Sequence, residues 1–338
     1  MRLAFRMVAS DNVPPMPRDV VRFILIYGFV AGSMAAGYLG RRLLGLTERL
    51  ANRCMWFVVV IGYSLVGMLA VWDYPLMWSD VALPAGGFVF MCLCTVVGLL
   101  AGRLTSRESD TIALIGLSGG MGNAASTMGG FLCFLFFQSH GLALSVVYCL
   151  MWYPFMVLVA FPIAHHYTTG QTHRMSLARL MWQSLWDIRS IGLPLMLLGV
   201  ALSAFRVPRP SIISHLKVAE GLTILTTVLA FFAVGLQLQS QEFRGAFRPA
   251  AITGLVRFIL APLIGVGLYM VIQRTPWPLG DLPGKVFLLE TCLPMAITVV
   301  GIANLFDISP RRATAMFVLN TLSYLVLCIP VLWWIFGR

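Results

Sequence analysis

The sequence predicts an all-α polytopic membrane protein, and three observations carry that prediction. Of 338 residues, 59% are hydrophobic and only 11% are charged, where soluble domains carry about 25% charged residues. The mean hydropathy is +0.86, which excludes a chain whose surface is solvated by water. The apolar residues also fall into long runs, close to the roughly 20 residues that a helix needs to cross a bilayer core of about 30 Å.

That length rule gives ten spans, at about 20–39, 54–72, 83–102, 111–137, 141–164, 189–206, 217–238, 250–273, 285–306 and 313–336. Residues 1–19 form an N-terminal tail without the uninterrupted apolar run of a signal peptide. Arginine placement orients the spans. Thirteen arginines, among them Arg41, Arg42, Arg103, Arg107, Arg244, Arg248, Arg311 and Arg312, fall in the loops after odd-numbered spans, whereas the even-numbered loops hold five basic residues. The positive-inside rule makes the odd loops cytoplasmic and puts both termini outside. The location this implies is a plasma membrane, or in bacteria the inner membrane. Arg2, Arg6, Arg18 and Arg22 in and beside the tail pull the other way.

The chain divides at residues 165–188, a polar central loop expected to be cytoplasmic, into five spans over 20–164 and five over 189–338. An odd number per half turns the second half over, which is the 5+5 inverted repeat of many secondary transporters. The net charge of +11 is spread between apolar runs and not gathered on one patch, so no nucleic-acid partner is expected; the lipid bilayer is. The seven cysteines all lie in apolar segments and read as small buried hydrophobes. His165, His166 and His173 read as solvated interfacial residues, and no metal site is expected. Trp182, Trp186, Trp333 and Trp334 fit interface belts.

Two spans are interrupted. The stretch GLSGGMGNAASTMGGF (116–131) packs six glycines into the fourth, and Pro294 interrupts the ninth within LLETCLPMAITVVGIANLF. Irregular backbone at membrane depth is tolerated where it is buried in protein or lines a wet cavity. Interruptions at corresponding places in two halves point to a transport site. A second reading stands beside this one: Gly116 and Gly120 form a GxxxG pair, as do Gly98 and Gly102, and such pairs also serve plain helix packing.

Several stretches resemble the auxin efflux carrier family, within the superfamily that includes the bile acid:sodium symporters. LPLMLLGVALSAFRVPRPSII (193–213) is similar to the family's sixth span, TVLAFFAVGLQL (227–238) to its seventh, and VRFILAPLIGVGL (256–268) to its eighth. Residues 294–331 resemble the ninth and tenth spans, and GNAASTMGG (122–130) aligns with the break in the fourth. The resemblance implies crossing broken helices 4 and 9, elevator-type alternating access, a small organic anion (typically a carboxylate) as substrate, and a homodimer. In the fourth span the family's proline is replaced, with Gly129 and Gly130 standing there; in the ninth its polar partner would be Thr298.

A carboxylate needs donors and positive potential. Asn123 offers an amide, Ser126, Thr127 and Thr298 offer hydroxyls, and half-helix ends beside Gly129, Gly130 and Pro294 offer backbone N–H groups. An interhelical hydrogen bond is the rival role for Asn123. Arg257 and Glu290 are the ionisable residues well inside spans, and a charge at that depth costs at least about 2.5–3.5 kcal/mol. Successive antiparallel spans bring the two within reach of each other. Three roles remain open for them: a structural salt bridge, proton coupling, or sodium coordination by Glu290 with freed carbonyls. Under the second and third roles a proton or a sodium ion is the coupling ion, and no cofactor is expected. Enzyme activity is not expected: there is no HExxH, no intramembrane aspartate pair and no Ser/His pair at comparable depth. A membrane sensor that binds without transporting is the alternative from another class.

Overall fold

The computed structural model describes Ile24 and residues 27–124, 128–167, 191–238 and 243–336. Among them every regular element is helical. A π-helical turn, Gly28–Gly32, leads into α1 (Ser33–Leu44), which Gly45 closes in the left-handed conformation at φ 65°. Then come α2 (Arg49–Trp72), α3 (Trp78–Thr105) and α4 (Ser109–Gly120). The long element α5 (Met128–Tyr167) is two helices meeting at the exposed Gln138, whose φ of 62° and ψ of −155° break the helical path. The remaining helices are α6 (Gly192–Ala204), α7 (Val218–Gln237), α8 (Phe243–Ile272), α9 (Asp281–Thr291), α10 (Ile297–Phe306) and α11 (Pro310–Phe336).

Six of these, α2, α3, α5, α7, α8 and α11, are long and apolar enough to cross a membrane. The shortfall against the ten expected spans has a physical cause. A break divides a span, so α4, α9 and α10 run 12, 11 and 10 residues. The second half of the broken fourth span is also fused with the following span in α5, divided only at Gln138. Most of the expected central loop, with His173, Trp182 and Trp186, lies outside the described residues. Trp333 packs its ring on Phe136, with centroids 5.6 Å apart.

Two layers position the site. In the first, α7 packs on α1 and α2, and α6 packs on α2. The α1–α7 contact is backbone against backbone. A Cβ at Gly37 would stand 2.1 Å from the Phe232 carbonyl oxygen, and one at Gly235 would stand 2.1 Å from the Met34 carbonyl oxygen. In the second layer α3 lies along α4, α8 along α11, and α9 against α5. Glycine again sets the distance between α3 and α4: a Cβ at Gly119 would meet the Cys94 carbonyl oxygen at 2.7 Å, and one at Gly98 the Ile115 carbonyl oxygen at 2.7 Å. Gly116, Gly119 and Gly120 are therefore packing residues on α3, and the two readings of the glycine run separate along its length.

These contacts predict opposite outcomes for two glycine substitutions in α7. Gly235→Ala should lower the Tm of the purified protein, because overpacking costs about 1–3 kcal/mol even where neighbours can shift. Gly221→Ala meets nothing within 4 Å and should leave Tm unchanged or raise it, since alanine restricts the unfolded chain. Thermal unfolding in detergent compares them, and equal Tm values would contradict the α1–α7 contact.

Candidate functional site

Pro294 cannot donate a main-chain hydrogen bond, its ring opposes a helical path at the preceding turn, and it drives Leu293 toward extended geometry. Helix α9 accordingly ends at Thr291 and α10 begins at Ile297, after an extended Ala296 at φ −73° and ψ 142°. On the other side α4 ends at Gly120, and Met121 is extended at φ −96° and ψ 97°.

The two breaks meet and satisfy each other. Gly122 and Met295 form an antiparallel bridge. The Asn123 N–H donates to the Pro294 carbonyl and the Ala296 N–H to the Met121 carbonyl, each at 2.8 Å. The Gly129 N–H donates to the Asn123 carbonyl at 2.9 Å. The Met295 N–H is taken by the Asn320 Oδ1 of α11, at 2.7 Å. Backbone freed at depth is thus paired within the protein, as a bilayer demands.

Arg257 closes the arrangement. It is completely buried and lies in a π-helical turn of α8, Val256–Leu260. Its Nε and Nη2 donate to the Leu293 carbonyl at 2.8 and 2.6 Å, and its Nη1 to the Gly119 carbonyl at 3.1 Å. Those carbonyls stand where α9 and α4 end, and the negative ends of two helix dipoles converge on the guanidinium. Phe90 presents its ring 6.0 Å away. Gly122 leaves the necessary room, since a Cβ there would lie 2.2 Å from Nη2.

Glu290, 1% exposed, is not the partner of Arg257. Its Oε1 accepts from Ser145 Oγ on α5 and from Cys133 Sγ at 3.7 Å. Its Oε2 has no hydrogen-bond donor among the described residues. The carboxylate lies on Gly129, where a Cβ would come within 2.5 Å of Oε2. This is the first turn of the Met128 helix, the positive end of its dipole. Of the three roles open for the pair, the salt bridge is replaced by two separate arrangements, a cation at helix C-termini and an anion at a helix N-terminus.

The other expected site residues are placed as follows. Asn123 is buried and lines a small cavity of about 10 Å³, room for about one water, with Ile297, Phe317 and, from α7, Ala230, Phe231 and Val234. Thr298 stands half-buried in the first turn of α10. Gly130 is buried beside Gly129, and Pro294 is buried at the crossing. Ser126 and Thr127 lie outside the described residues. Sequence reading missed Asn320, Ser145 and the sulfur contact of Cys133. Asn320 was open to the rule that singled out Asn123, a polar amide inside an apolar span. Among the described residues no group of acidic, histidine and cysteine side chains could hold a metal ion.

The fold and the crossing define the class, an all-helical integral membrane protein built around two broken helices that meet in its interior. Residues 179–335 match the family described as membrane transport protein. This is the auxin efflux carrier family that the sequence resembles, and the match covers the ninth-span break, Arg257 and Asn320. No curated protein matches the chain.

Removing the guanidinium tests the geometry. Arg257→Met leaves the Leu293 and Gly119 carbonyls unpaired, at about 1–3 kcal/mol for each buried acceptor. The variant should unfold at lower denaturant than wild type, with Arg257→Lys between the two. An Arg257→Met protein as stable as wild type would show that the crossing does not depend on this residue.

Proposed function

We propose that the protein is a secondary active transporter that moves a small organic anion, a carboxylate, by elevator-type alternating access. The observation that carries the reading is the buried meeting of two broken helices at the boundary between the two helical layers, facing α7 across the cavity beside Asn123. In this reading the substrate carboxylate is held by Asn123, Thr127 and Thr298, with Ser126 beside them. The backbone at Gly129, Gly130 and Pro294 shapes the site, and the N-terminal ends of the second half-helices supply positive potential. Charge compensation falls to those helix ends, because Arg257 is committed to carbonyl oxygens.

Coupling falls to Glu290. Its unpartnered Oε2, enclosed beside Ser145 and Cys133, can take a proton. The same oxygen suits a sodium ion, since hard cations want oxygen ligands, and this keeps the sodium-coupled symporter as the second reading. The homodimer and the plasma-membrane setting rest on the family resemblance and on the arginine bias.

Charge movement in proteoliposomes on a solid support separates these readings. With small carboxylates applied in sodium-free buffer, wild type should give transient currents that Asn123→Ala abolishes and Glu290→Gln suppresses. Currents that appear only with sodium would move the chain to the sodium-coupled reading. Silence from folded, correctly inserted protein across the panel would remove the transport reading and favour a binding protein.

A further inference from the structure

Away from the crossing, at one end of the second layer, is a cavity larger than the one beside Asn123. Its walls come from the end of α3 and the first turns of α4, α8 and α11, and they include Ser106, Glu108, Thr111, Gly245, Arg248 and Arg312. Three stretches remote in sequence thus meet at one place, and two of their arginines, Arg248 and Arg312, line it.

The groups facing this cavity favour an anion. Arg312 donates through Nη1 to the Glu108 carboxylate and to Thr111 Oγ1, at 2.6 Å for the latter. With Thr111 it holds the Glu108 carboxyl below its ordinary range, so the acid is ionised and its charge is already met at neutral pH. The Nε and Nη2 of Arg312 remain without a partner among the described residues. Arg248 is exposed and makes no hydrogen bond or ion pair with another described residue. The Ser106 hydroxyl accepts from the Glu108 N–H at 3.1 Å and keeps its own proton to give. Gly245 leaves open space, since a Cβ there would meet nothing within 4 Å. At the carbonyl end of α3, Thr105 Oγ1 donates to the Ala101 carbonyl at 2.6 Å and the Ser106 N–H to the Gly102 carbonyl at 2.9 Å, so part of its negative potential is already engaged. The first turns of three helices add positive potential of the kind that binds phosphate.

We propose that this cavity is a binding site for a phosphate group, held by Arg248 and the free edge of Arg312, separate from the crossing and independent of the transport reading. Two sources share that chemistry. A free phosphate ester would enter from water. A lipid headgroup would enter from the bilayer, with its chains along the apolar flank formed by Leu104, 86% exposed, and Phe247, 58% exposed, the sequence neighbours of Thr105 and Arg248.

The test uses the full chain in detergent and in phosphatidylcholine nanodiscs. Inorganic phosphate and glycerol 3-phosphate are titrated against the detergent sample, and phosphatidic acid is titrated into both, with binding read by native mass spectrometry and by the shift in Tm. Arg248→Ala should keep the wild-type Tm without ligand and weaken binding about tenfold or more, as expected for lost charge-assisted hydrogen bonds. Arg248→Lys should recover part of it. Binding of the soluble phosphates that Arg248→Ala weakens supports a free phosphate ester. Binding of phosphatidic acid alone, weakened likewise, supports a lipid headgroup. Absence of binding by all three probes, or binding that Arg248→Ala leaves unchanged, overturns the proposal.

Discussion

Two helices that stop in the interior of a membrane protein each leave carbonyl groups pointing at nothing, and Arg257 is the side chain that answers both. Its three hydrogen bonds reach the ends of α4 and α9 together. The cost of placing a cation at such depth, at least about 2.5–3.5 kcal/mol, is of the same order as the return from hydrogen bonds to a charged group, about 1.5–3 kcal/mol each. The balance is favourable only if every donor is used well. Several neighbouring features follow from that requirement: the missing side chain at Gly122, the ring of Phe90, and the π-helical turn of α8 that carries the arginine. The two-residue bridge between the breaks then needs only to hold register, with Asn320 supplying the acceptor for Met295.

This arrangement divides the charges at the crossing by helix polarity. The cation sits at C-terminal ends and the buried acid, Glu290, sits against the first turn of the Met128 helix. Each is stabilised by backbone dipoles, and neither consumes the other. A salt bridge between them would have locked α8 to α9 through side chains and left the broken ends to find other partners. With the charges apart, Glu290 keeps one oxygen uncommitted while Arg257 has no free role in binding an anion. The acid is therefore the more adaptable of the two groups, and it lies among residues of α5, the element that continues from the other break.

Sequence reading reached the breaks because their causes are local. Proline at 294 and the density of glycine around 119–122 weaken a helix locally, although Pro249 and Pro330 are carried inside helices of the same protein. The division of labour among the glycines was not legible, because Gly116, Gly119 and Gly120 face α3 whereas Gly122 faces a guanidinium and Gly129 a carboxylate. Each of these depends on which neighbour the helix presents to it. The partners of Arg257 were missed for a related reason. Carbonyl oxygens carry no residue signature, so a rule that looks for side-chain counter-charges selects Glu290, which is close in sequence to the true acceptor, Leu293. Counting spans by length likewise fails at a broken helix, where half-helices of 10–12 residues fall below any crossing threshold.

The cavity beside Asn123 holds about one water, far less than a carboxylate with even a small carbon skeleton needs, so the crossing is closed on its α7 side. Opening it must separate one of two contacts. The α1–α7 contact is made at backbone distance through Gly37 and Gly235, and sliding there would drive main chain into main chain. Between α7 and the crossing, Ala230, Phe231 and Val234 line the small cavity together with Ile297 and, from α11, Phe317, so side chains and not main chain face each other there. Under the proposed transport reading, the seam between the layers is the one to open, and the crossing would move past α7 while α1 and α7 stay together. Arg257 is bonded to α4 and to the α9 break, so in that reading the two broken helices would stay together with their ends still satisfied.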